Sequence, residues 1–222
     1  MPGEADHSAT GLDIVYADRH VVVVNKPADM LSVPGRGPDK SDCVAARVRD
    51  AFPHARGPLI AHRLDMDTSG LIILGLDPHA QRFLSLQFER RRVEKRYVAL
   101  VDGSPTRDTG TIDLPLRADW PNRPRQIVCF ESGKPAQTRW RVLARETDRT
   151  RLELEPVTGR THQLRVHLAD PQGLGALILG DPLYAEGPAR DDHPRLMLHA
   201  ARLSIRLPGT RRLAEFRTRV PF

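Results

Sequence analysis

Short apolar runs broken by Pro-, Gly- and Asp-containing stretches set the pattern of the N-terminal half. Val21-Val-Val-Val24 is an unbroken β-branched run closed by Asn25-Lys-Pro27, which predicts a strand buried on both faces running into a turn. Ser32-Val-Pro-Gly-Arg-Gly-Pro38 reads as a loop. Ser41 stands where it can cap a helix with Val44, Ala45, Val48 and Phe52 at helical spacing, ended by Pro53. Leu71-Ile-Ile-Leu74 predicts a second buried strand. Asp77-Pro78 then opens a helix with Ala80, Phe83, Leu84 and Phe88 on one face.

Further along, the period changes to two. Tyr97, Ala99 and Val101 fall on one side of a strand and Val98 and Leu100 on the other; Thr138, Trp140 and Val142 alternate likewise, as do Leu152 and Leu154. Thr158-Gly-Arg-Thr161 predicts a turn into a helix from His162 to Ala169, and a last strand pair is expected between Leu198 and Leu207. Strands with few intervening helices predict an α+β fold. Residues 1–11, small and polar, are expected to be a disordered tail, with a single domain from 12 to 222.

Composition narrows the function classes. No run approaches the ~18 apolar residues of a membrane span, and Met1-Pro-Gly-Glu-Ala-Asp-His7 has neither the basic nor the apolar part of an export signal, so no membrane partner and a cytoplasmic location are expected. Cys43 and Cys129 belong to no CxxC and are expected to be buried free thiols. The net charge is +6 and the pI about 9.9, which favours a polyanionic partner. Of the 34 basic residues 30 are Arg, consistent either with forked phosphate contacts or with a GC-rich genome.

No GxGxxG, GxxxxGK[ST] or GxSxG occurs, so dinucleotide, P-loop and hydrolase-elbow chemistry have no support. No HExxH is present, and the five-residue step from His162 to His167 separates them on a helix; no metal is expected. Two dense polar segments remain. Ala61-His-Arg-Leu-Asp-Met-Asp-Thr-Ser-Gly70, if extended, projects Arg63, Asp65 and Asp67 to one side; it reads equally as turn and cap residues. In Pro156-Val-Thr-Gly-Arg-Thr-His-Gln-Leu-Arg-Val-His167, His162 and Arg165 share a helix face, which is also what a solvated helix start looks like.

Taken together, His62-Arg-Leu-Asp65 with Thr68-Ser-Gly70, Lys95-Arg-Tyr97 and Thr158-Gly-Arg-Thr-His-Gln-Leu-Arg165 resemble the RluA family of pseudouridine synthases in motif order and separation. Asn25-Lys-Pro27, Leu31-Ser-Val-Pro-Gly35, Ile178-Leu-Gly-Asp181 with Tyr184, and Leu198-His-Ala200 extend the resemblance over nearly the whole chain. Asp119-Trp-Pro-Asn-Arg-Pro124 and Gly133-Lys-Pro-Ala-Gln-Thr138 are similar to the branch that modifies both 23S rRNA and tRNA anticodon stem-loops.

The resemblance implies a mixed, mainly antiparallel sheet with flanking helices and a central cleft, a cofactor-free uridine isomerase and structured RNA as partner. A monomer is the default expectation, and, where many relatives carry an N-terminal S4 RNA-binding domain, only a short polar tail is expected before the catalytic segment. It implies that Asp65 is the catalytic carboxylate, Arg165 the guanidinium that keeps it ionised, and Tyr97 the residue stacked on the base, placed to take the C5 proton. Leu164 is implied to pack on the base and Arg63 to fill the place of a flipped nucleotide, with His62 beside it; Arg160 and His162 join the substrate contacts. Trp120 and Arg123 are expected to grip a folded RNA loop. The basic segments Arg90–Arg96 and Arg202 onward are expected to include phosphate contacts, weakened by salt. One departure is Ala28-Asp29-Met30, where relatives commonly carry glycine.

Overall fold

The computed structural model describes residues 11–35, 37 and 40–222. The expected tail, Gly11 excepted, and Arg36 and Pro38 of the expected loop lie outside them. The chain gathers into two compact units: one takes the chain up to Glu94 and returns for Arg202–Arg219, the other holds Lys95–Ala201 and Val220–Phe222. Both are α+β.

In the first unit β1 (Asp13–Ala17) pairs antiparallel with β2 (Val21–Lys26), and β2 with β3 (Ser69–Gly75). The later residues of β10 (Leu198–Arg206) and β11 (Leu213–Arg217) form an antiparallel pair in the same unit. β3 is buried at every position and Val21–Val24 are fully buried, which is why neither run alternates. Helix α2 (Pro78–Glu89), capped by Asp77 through the Ala80 N–H, lays Ala80 and Leu84 on Val21, Val23, Leu71 and Ile73. Its start lies so close to β3 that a Cβ at Gly75 would stand 2.4 Å from the Gln81 nitrogen. Helix α1 (Val44–Ala51) is capped by Cys43, whose Sγ accepts from the Ala46 N–H at 3.4 Å, and not by Ser41 as expected. The helix begins two residues later because Cys43 is the residue with extended backbone next to the first turn.

In the second unit β4 (Glu94–Asp102) pairs with β9 (Arg149–Pro156), β9 with β8 (Gln137–Arg145), and β8 with β5 (Thr109–Asp113), all antiparallel. A separate two-stranded ribbon joins β6 (Leu116–Ala118) to β7 (Gln126–Val128). Helix α3 (Gln163–Ala169) packs against β7, β8 and β9, and a short α4 (Pro188–Asp191) follows. Ala99, Val101, Leu152, Leu154, Leu164 and Leu168 are central to one apolar cluster.

Two expectations need correction. Leu198–Leu207 holds one nine-residue strand, β10, and its hairpin partner is β11, beyond the Pro208-Gly-Thr turn. Cys43 is buried, but Cys129 is half-exposed in a tight turn, its Sγ 3.4 Å from Ser132 Oγ. Hydrogen bonds from Ser132 and Arg117 pull that thiol down to about 6.

Candidate active site

The Asp65 segment belongs to the first unit. It is irregular, with a turn closed by the Thr68 N–H on the Asp65 carbonyl at 3.1 Å, so Arg63, Asp65 and Asp67 do not form an extended row. What fixes it is backbone bonding on both sides of Asp65. Ser32 Oγ donates to the Leu64 carbonyl at 2.7 Å and accepts from the Leu64 N–H at 3.1 Å, while the Leu64 side chain is buried. At the end of β2, fully buried Lys26 donates through Nζ to the carbonyls of Pro27, Met30 and Met66 at 2.8, 2.7 and 2.8 Å. Three ammonium protons meet three carbonyls, one of them the neighbour of Asp65. Asp65 is thus half-buried between two anchored residues.

His62 accepts from the Ile73 N–H through Nε2 at 3.1 Å and stacks on Phe88, ring centroids 4.2 Å apart. Accepting at Nε2 leaves the ring proton on Nδ1. The structure therefore gives His62 a structural task on β3 and α2. Arg63 is exposed and, among the described residues, makes no ion pair.

In the second unit α3 carries Leu164 and Arg165, and a closed polar network sets its position. Gln163 Oε1 accepts from the Thr158 hydroxyl at 2.7 Å and the Arg160 N–H at 3.0 Å; its Nε2 donates to the Gln137 carbonyl at 2.9 Å and to Thr138 Oγ1 at 3.0 Å. His167 donates to the Leu114 carbonyl at 3.0 Å and accepts from the Thr138 hydroxyl at 2.9 Å, and burial pulls its pKa down, which favours this neutral ring. Every hydrogen-bonding site of the Gln163 amide is used.

Arg165, 1% exposed, is held by equally buried Asp181: Nε donates to Oδ2 at 2.8 Å and one terminal nitrogen to Oδ1 at 2.6 Å. Asp181 Oδ1 also accepts from the Leu183 and Tyr184 N–H groups. Tyr184 sits at a junction. Its hydroxyl accepts from the Gln126 N–H at 2.7 Å and donates to His162 Nδ1 at 2.8 Å, and its ring lies 5.4 Å from Arg165 Cζ and 5.3 Å from Arg125 Cζ. Burial pushes the phenol up to about 12, so it remains a donor. His162 occupies the left-handed region at φ 52° just ahead of α3.

Tyr97 is half-buried on β4 opposite Leu154 and packs against the cluster that contains Leu164. Nearby Lys95 approaches Gly159, whose added Cβ would be 3.9 Å from Nζ, and burial pulls its pKa down to about 8. Arg160 donates to the Pro135 carbonyl at 3.1 Å. Between β6 and β7, the 119–125 loop is closed by Asp119 N–H to Arg125 carbonyl (2.9 Å) and Arg125 N–H to Asn122 carbonyl (3.0 Å). It presents Trp120, 65% exposed, with Arg123 Cζ 3.4 Å from the ring centroid. Among the described residues no three His, Cys, Asp or Glu side chains converge as metal ligands would. No described helix is long and apolar enough to cross a membrane.

The structure thus brings Arg165, His162 and Arg125 around Tyr184, and Tyr97 and Leu164 to one cluster. Sequence reasoning gave no role to Asp181, Tyr184, Gln163, Lys26 or Ser32. Their signal was membership of the motifs Asn25-Lys-Pro27, Leu31-Ser-Val-Pro-Gly35, Thr158-Gly-Arg-Thr-His-Gln-Leu-Arg165 and Ile178-Leu-Gly-Asp181 with Tyr184, which marks the segments but not the contacts they make.

Residues 20–170 match the RNA pseudouridylate synthase family. The chain belongs to that family. It is 50% identical over 196 residues to the dual-specificity RNA pseudouridine synthase RluA of Yersinia pestis, covering 88% of this chain and 92% of that one. It is likewise 50% identical over 199 residues to the Escherichia coli K12 protein of the same name, covering 89% and 88%. Among solved structures it is similar to human RNA Pseudouridylate Synthase Domain Containing 1, with a TM-score of 0.79 and 33% identity, covering 100% of this chain and 87% of that one.

Proposed function

We propose that this isomerase converts uridine to pseudouridine in two structured RNAs, an rRNA and a tRNA anticodon stem-loop, with Asp65 as the attacking carboxylate. The observation that carries the assignment is the anchoring of both neighbours of Asp65, by Ser32 on Leu64 and by Lys26 on Met66. A nucleophile must be held while its target moves, and buried hydrogen bonds supply that.

The reaction breaks the N1–C1′ bond, turns the base, and joins C5 to C1′. One proton leaves C5 and one is gained at N1, so atoms and electrons balance without any cofactor. The nucleotide leaves its stack for the chemistry, at a cost of a few kcal/mol that protein contacts must offset. Arg63, exposed and without an ion pair among the described residues, fills the vacated space; Tyr97 and Leu164 receive the base, and Tyr97 takes the C5 proton. Arg165 supports the carboxylate's ionised form, while Arg160, His162 and His62 line the substrate contacts. The exposed Trp120–Arg123 stack grips a folded loop by stacking and charge, which supports the dual reading. Residues 12–222 form the catalytic domain of a cytoplasmic monomer.

The test is release of tritium from 5-³H-uridine in two transcripts, an anticodon stem-loop and a 23S rRNA hairpin. Release from both is expected. Release from one alone restricts the function to that RNA, and binding without release from either overturns it.

A further inference from the structure

Most arginines of the second unit's sheet are neutralised where they stand. Arg141 pairs with Glu153, Arg139 and Arg96 with Glu155, Arg145 with Asp108 and Arg149 with Glu146. In the first unit Arg202 and Arg217 share Glu215. Elsewhere in that unit exposed arginines without an ion pair stand singly, as at Arg19, Arg49, Arg56, Arg63 and Arg82, whereas in two segments they are consecutive. Arg90, Arg91, Arg92, Arg211 and Arg212 are all exposed and, among the described residues, none makes an ion pair.

These segments lie more than a hundred residues apart in sequence, and a chain of hydrogen bonds joins them. The Arg92 N–H donates to the Gln87 carbonyl at 2.9 Å. Gln87 Oε1 accepts from the Arg206 N–H at 3.0 Å, and Gln87 Nε2 donates to the Arg206 carbonyl at 2.9 Å. Arg206 in turn donates to the Arg211 carbonyl at 3.1 Å. One residue beyond Gln87, Phe88 carries the stacked ring of His62, three residues from Asp65. The end of α2 thus ties the Asp65 segment to both arginine segments.

A second observation is independent of charge. Arg91 (φ 54°) and Arg211 (φ 55°) both occupy the left-handed region. Arg91 closes α2 with its N–H on the Phe88 carbonyl and that of Arg92 on the Gln87 carbonyl, a helix ending at which glycine is the favoured residue. Arg211 holds the matching position in the β10–β11 turn, its N–H on the Leu207 carbonyl. Complementing the helix dipole accounts for a cation at the end of α2, but not for the turn and not for the left-handed choice at both. Backbone held in a sparsely populated region clusters at functional sites, and two of the four non-glycine residues found there among those described are these arginines.

We infer that Arg90–Arg92, Arg206, Arg211 and Arg212 form one phosphate-binding track, along which the RNA backbone runs outward from the reacting nucleotide. The inference rests on the proposed RNA substrate and adds where that substrate is held. Unpaired guanidiniums grip phosphates by forked hydrogen bonds and release condensed counterions, without reading bases.

The test is equilibrium binding of the full chain to the stem-loop transcript from about 50 to 200 mM salt, alongside kcat and KM. Gln at Arg91, Arg92, Arg211 and Arg212 is expected to reduce the slope of log K against log salt by roughly three, at ~0.7–0.9 per lost contact. KM is expected to rise about ten-fold or more, with kcat within about two-fold. Gln at exposed Arg49, Arg56, Arg107 and Arg190 controls for net charge and should leave the slope near that of the unaltered protein. Arg91→Gly with Arg211→Gly relieves both left-handed positions, so its thermal midpoint should not fall, yet its slope should drop by about two. An unchanged slope in the quadruple and glycine variants, or an equal drop in the control, overturns the track. Binding is read without turnover, so an unaltered protein that forms no pseudouridine counts against the proposed function and leaves the track to be judged on its slope.

Discussion

Arg165 and Asp181 are each 1% exposed and joined by two parallel bonds of 2.6 and 2.8 Å. Such a pair costs much desolvation energy and fixes an orientation in return. The Leu183 and Tyr184 N–H groups on Asp181 Oδ1 complete its solvation. The guanidinium proposed to serve catalysis is therefore aimed by a loop sixteen residues further along the chain.

Removing one partner strands the other's charge. Asp181→Ala is expected to cost about 3–5 kcal/mol in urea unfolding. Arg165→Met with Asp181→Leu replaces both and should recover most of that loss, yet show no turnover while still binding RNA. Recovered turnover in the double variant would take Arg165 out of the mechanism.

Ser32→Ala deletes two bonds to Leu64 and leaves a buried N–H without its acceptor. Stability should fall by about 1–3 kcal/mol. Because Asp65 follows Leu64, kcat should fall more than ten-fold while RNA affinity stays within about two-fold. Equal losses in both would mean that Ser32 only supports the fold.

Lys95 gives opposite pH slopes to stability and binding. Burial holds its folded pKa at about 8, below the 10.5 of a free lysine. Between these values the unfolded chain keeps the proton and the folded protein does not, so folding stability rises with pH from about 8 to 10.5 and this contribution is flat outside that window. RNA affinity should fall over the start of the same window as the cation is lost. Lys95→Met should abolish the rise in stability and flatten the affinity profile.

The Trp120–Arg123 stack is expected to act on substrate choice. Trp120→Ala should cost about 1–3 kcal/mol of binding to the loop it stacks on, measured separately on the rRNA and tRNA transcripts. A loss on neither would remove the loop from recognition.

Elements with strong periodicity were legible in the sequence. The buried run Val21–Val24, the α2 stripe of Ala80 and Leu84, and the alternation in β4, β8 and β9 each appear where expected. Three-residue β6 and β7 are too short to show a period, and β10 carries Arg202 and Ser204 among apolar residues, so its nine-residue length was hidden. Asp65, Tyr97 and Arg165 came from motif resemblance. Their holders Ser32, Lys26, Gln163 and Asp181 act through contacts between distant segments, which spacing does not reveal. The left-handed backbone of Arg91 and Arg211 was equally hidden, because arginine is not a residue that signals it.

The most direct measurement is single-turnover pseudouridine formation by Asp65→Ala at saturating RNA, with binding read in parallel. Loss of all turnover, with affinity for the stem-loop within a few-fold of the unaltered protein, is the expected result. Turnover retained by that variant would contradict the assignment of the Asp65 carboxylate as the attacking group.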